Sequence, residues 1–126
     1  MRKVLVCFVV VSSLFAGVCF ADGDLDMDLM QNIEDLNKSL SSNLSLKDAK
    51  ASTADAKELN RLFITVEEHF IKRGDAQNAV DLSKKSKDLT VEILTAVSAN
   101  KFDAATDSAT NLSRTCRTCH TFYKKE

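Results

Sequence analysis

Residues 59–74 read LNRLFITVEEHFIKRG. Leu59, Leu62, Phe63, Val66 and Phe70 recur at steps of three and four, with polar residues between them. That spacing winds one apolar stripe along an α-helix. Gly74 closes the run, because it takes the left-handed position after a helix without a steric penalty. A helix striped on one side must bury the stripe against something, so the fold depends on what the rest of the chain supplies.

Upstream, this helix begins near Leu46, after a polar break at "SSN" (41–43). A first helix precedes the break from about Leu25 to Leu44, with Leu29, Ile33, Leu36 and Leu40 in helical register. Downstream, Asp75 is the expected N-cap of a third helix, whose apolar side is Val80, Leu82, Leu89, Ile93, Leu94 and Val97. A second break, "ANK" at 99–101, leads into a fourth helix from about Phe102 to Tyr123, through Ala105, Ala109, Leu112, Cys116 and Cys119. The chain has no proline, and past the leader only Gly23 and Gly74 are glycine. The expected fold is all-α: an antiparallel four-helix bundle, up-down-up-down, with short connections. Composition by itself would equally suit a helical adaptor with no cofactor.

The first 21 residues stand apart from this pattern. MRKVLVCFVVVSSLFAGVCFA opens with Arg2 and Lys3, runs apolar from Val4 and ends on the small residue Ala21. Such a layout is a secretory signal peptide cleaved after Ala21. A retained anchor is the competing reading, and acylation of Cys19 is disfavoured by the bulk of Val18 before it. Export leaves residues 22–126 as one domain, with no membrane insertion once the signal is cut. Loss of Arg2 and Lys3 takes the formal charge from −1 to −3, too mild to imply a nucleic-acid partner. Of the four cysteines, Cys7 and Cys19 leave with the signal, so no disulfide-stapled scaffold remains.

The two remaining cysteines stand in "CRTCH" at 116–120, the spacing of a c-type haem attachment site. Cys116 and Cys119 fall about one helical turn apart on the stripe holding Leu112 and Tyr123. Two thiols so placed suit thioether bonds to the two vinyl groups of one haem, with His120 as an axial iron ligand. A structural zinc site needs four Cys or His ligands, and only His69 is left to add. A thioredoxin-like dithiol is expected after a strand and at the start of a helix. No residue stands out for acid–base chemistry on a substrate, so the chain is read as a non-enzyme.

An exported four-helix sequence ending in "SRTCRTCHTFYKKE" and beginning with "LMQNIEDLNKSL" resembles the class II c-type cytochromes, the cytochrome c-prime family. The ending also looks like that of the soluble periplasmic b-type four-helix cytochrome. The resemblance implies one covalent haem c with its iron, a periplasmic location, and redox proteins there as electron donor and acceptor. It also brings pairing through the first two helices into view, so a homodimer is a further expectation.

The same resemblance leaves the sixth iron position open. Members of the family either shield it with an apolar side chain of the first helix or fill it with a methionine. Met30 fits the second pattern, next to Leu29 and three before Ile33, whereas Met27 lies between two aspartates. Met30 as a packing residue is the plain alternative. Met/His ligation implies electron transfer, and an open position implies binding of NO or CO. By resemblance, Lys124, four after His120, is a propionate contact. Phe122 and Tyr123 are expected at the haem edge or in the core, His69 as a solvated helix-end histidine, and "KKSK" at 84–87 as a solvated face.

Overall fold

The computed structural model describes residues 25–123. The leader read at 1–21 and the proposed contact Lys124 lie outside the described residues. Four helices account for nearly all of the described chain: α1 (Met27–Ser45), α2 (Ala49–Arg73), α3 (Gln77–Ser98) and α4 (Phe102–Tyr123). Each packs against its neighbours in a closed ring, α1 on α2, α2 on α3, α3 on α4 and α4 back on α1. The connections are three residues long, and cross-helix hydrogen bonds pair a late residue of one helix with an early residue of the next, or middle with middle, as antiparallel neighbours require. Asn43 bonds Asp55 across α1 and α2, and Asn60 bonds Thr90 across α2 and α3. The fold is an up-down-up-down four-helix bundle.

Each helix contributes one of the largest wholly buried apolar side chains: Leu40, Leu59, Ile93 and Leu112. All belong to the stripes read from spacing, and every apolar residue of the 59–70 stripe is buried. Truncating one of them to alanine would cost about 2–5 kcal/mol, the usual range for a leucine or isoleucine in a closed core. Contact is most extensive between α2 and α3 and sparsest between α1 and α4. That loosest seam matters for the site.

Helix ends follow local chemistry. Gly74 has φ 76°, and its N–H reaches Phe70 O at 3.2 Å, closing α2 as expected. Asp48 caps α2 by accepting from Ala51 N at 2.9 Å. Two expected boundaries are corrected. Residues 41–43 are not a break but part of α1. Ser41 and Ser45 donate to the carbonyls four residues back, and Asn43 donates to Ser39 and Asp55, so their polar groups are satisfied on the helix surface. Nor does Asp75 cap α3. Its carboxylate takes the Arg73 guanidinium at 2.9 Å, and buried Ala76 stands in the N-cap position without a side-chain bond.

Candidate cofactor site

At one end of the bundle meet the start of α1, the end of α2, the start of α3 and the end of α4. Here the core opens into a cavity of about 370 Å³, within the range of about 300–1,000 Å³ common for cofactor sites. Met30 from α1 and Cys116, Cys119 and His120 from α4 all line it. Ile33, Phe63, Val66 and Leu82 supply the apolar wall. Glu34 and Arg117 stand exposed where it reaches solvent, on either side of the α1–α4 seam.

Helical register explains why these side chains meet. α1 and α4 run antiparallel, and Asn37 donates from Nδ2 to Ser113 Oγ at 2.9 Å, which sets their alignment. Moving toward the open end, α1 ascends through Glu34 to Met30 as α4 ascends through Cys116 and Cys119 to His120. Met27 lies one turn further out, 77% exposed, and does not reach the cavity. His69 is also outside it, half-buried, with its ring edge-on to Phe70 at a centroid distance of 5.1 Å.

The space itself comes from small residues on α3. Ser83 and Ser86 are buried on the inward side, where the stripe would otherwise continue with leucine-sized groups. Their hydroxyls donate to Ala79 O and Leu82 O, at 2.6 and 2.9 Å. This satisfies them within their own helix and leaves compact surfaces toward the cavity. Thr115 does the same on α4, donating to Asn111 O at 3.0 Å. Sequence reading passed over Asn37, Ser83, Ser86, Ser113 and Thr115. The signal for the two α3 serines was present, since they lie three apart in register with Ala79 and Leu89.

One further expectation is corrected and one narrowed. "KKSK" is not a uniformly solvated face: Ser86 is buried, and half-buried Lys87 pairs with Glu67 of α2. Of the two places expected for Phe122, the haem edge or the core, its 61% exposure excludes the core.

Cys116 and Cys119 are free thiols, both half-buried. Burial, and to a lesser degree the neighbouring Cys119, push Cys116 up from 9.0 to about 11. Burial raises Cys119 as well. Reactive dithiols are tuned the other way, toward the thiolate. Among the described residues, no three of His, Cys, Asp and Glu gather where they could hold a metal ion. A structural zinc ion asks for four such ligands. A haem iron brings its ring nitrogens and asks the protein for one or two donors.

The donor set therefore fits a haem: two thiols a turn apart, an imidazole beside them, a thioether from a second helix, and an apolar wall. Asn37 lines the same cavity, and its buried Oδ1 has no partner among the protein's own groups. No protein-family model, curated protein or solved structure matches this chain.

Proposed function

We propose that this chain is an exported electron carrier holding one covalent c-type haem. In this reading Cys116 and Cys119 form the thioethers and His120 and Met30 are the axial iron ligands. The observation that carries it is a single cavity lined by all four side chains, drawn from two helices that pack only lightly on each other. A bound haem would supply a one-electron couple, with a potential raised by methionine–histidine ligation. The chain's own residues do the rest. Cys116 and Cys119 tether, so that a small exported protein cannot lose the group by dilution. His120 and Met30 would hold the iron from both helices, and two fixed protein ligands would keep rearrangement on electron transfer small. Ile33, Phe63, Val66 and Leu82 exclude water and lower the local dielectric. Its partners would be periplasmic redox proteins.

Expression with a c-type maturation system, followed by mass and visible spectra, tests this reading. The expected product carries one haem per chain, is low-spin in both oxidation states and takes up CO slowly. Met30→Ala should turn it high-spin and open it to CO. A wild-type protein that is already high-spin and binds CO readily would replace the Met30 assignment with a five-coordinate, gas-binding site. A chain that matures without haem would point to a helical interaction protein.

A further inference from the structure

Hydrogen-bond accounting around the cavity has a direction. The hydroxyl hydrogens of Ser83, Ser86, Ser113 and Thr115 are all spent on carbonyls of their own helices. Each oxygen keeps acceptor capacity, so these residues meet an occupant as acceptors. Ser113 donates to Ala109 O and accepts from Asn37 Nδ2. With Nδ2 toward Ser113, Oδ1 is buried with no partner among the protein's own groups, in a residue that lines the cavity. An amide oxygen carries a partial negative charge. In a low-dielectric cavity, a field from a fixed dipole is screened far less than in water.

We infer that Asn37 sets the reduction potential of the cofactor: its buried Oδ1, backed by the serine oxygens, favours the oxidised, more positive state. The inference rests on the haem reading above and adds a role that the motif does not assign. Asn37 acts through its field and ligates nothing, so it is a tuning residue, held in place by Ser113.

The test uses the matured full-length protein and two variants that both lack the Nδ2–H given to Ser113. Asn37→Leu removes the dipole, and Asn37→Asp puts a negative charge in its place. Midpoint potentials are measured at pH 8, with haem content by mass and ligation by visible spectrum as controls. The reduction equilibrium should rise about tenfold in Asn37→Leu, about 59 mV for a one-electron couple, and fall by at least as much in Asn37→Asp. Opposite signs cannot come from a loosened α1–α4 seam, which would move both variants the same way. Shifts of the same sign, or changes under about twofold with low-spin spectra retained, overturn the inference alone. A wild-type chain with no attached haem overturns the inference together with the reading beneath it. Should leucine prevent maturation, Asn37→Ala removes the same dipole with less bulk and takes its place in the test.

Discussion

Cys116 sits in surroundings that favour a protonated thiol, and this has a measurable consequence in the haem-free chain. Burial raises the folded thiol from 9.0 to about 11, so the folded state holds this proton more tightly than the unfolded chain does. The contribution to stability is therefore full below about pH 9 and is lost as pH rises through about 11. Urea midpoints of the haem-free chain and its Cys116→Ala variant, compared at pH 8 and pH 10.5, should converge at the higher pH. Parallel curves would contradict the burial argument. Once Cys116 is a thioether its sulfur no longer titrates, and the convergence should vanish. Met30 and Met27 show the same dependence on surroundings. The two share an element and a residue type, but only Met30 is half-buried against the cavity.

At the level of the element, α3 decides whether the bundle has a cavity at all. Ser83 and Ser86 give up packing volume at positions where Leu89 and Ile93, further along the same helix, fill the core. Ser86→Leu should therefore keep full helicity and cooperative unfolding while haem attachment fails. Circular dichroism and haem content together check this, and normal haem loading in the variant would show that α3 does not bound the site. The same helix shows where sequence reading ran out. Apolar spacing marks leucines and phenylalanines, so the four stripes, the bundle and the start of α4 were legible. A buried serine is silent in that code, because its hydroxyl is paid by its own helix backbone. Helix ends failed for a related reason. Ser41, Asn43 and Ser45 look like a break by composition, but their side chains bond back onto α1 or across to α2. On the site, "CRTCH" was readable as chemistry, and Met30 as a candidate. Asn37 became visible only once α1 and α4 were laid side by side.

Across the whole molecule, packing is unevenly distributed, and the proposed cofactor falls where packing is weakest. α2 and α3 share the most extensive interface and are tied further by Asn60 to Thr90 and by Lys87 to Glu67. α1 and α4 meet least, and at the open end they face each other across the cavity. Below Asn37–Ser113, α1 is held by buried Leu40 and Leu44, and α4 by Ala105, Ala109 and Leu112. Above it, α1 has Ile33 as its buried anchor. Local opening follows sparse apolar contact, so amide exchange in the haem-free chain should be fastest in 27–36 and 114–123. It should be slowest through the middle of α2 and α3. In the proposed reading a haem would join α4 to α1 through His120 and Met30, and protection should then rise in both fast segments together. In matured Met30→Ala, the tether to α4 remains but the link to α1 is gone, so 114–123 should stay protected while 27–36 returns toward its haem-free rate. Equal protection of α1 in the variant and the parent would mean that packing on the haem face, not Met30, closes the bundle.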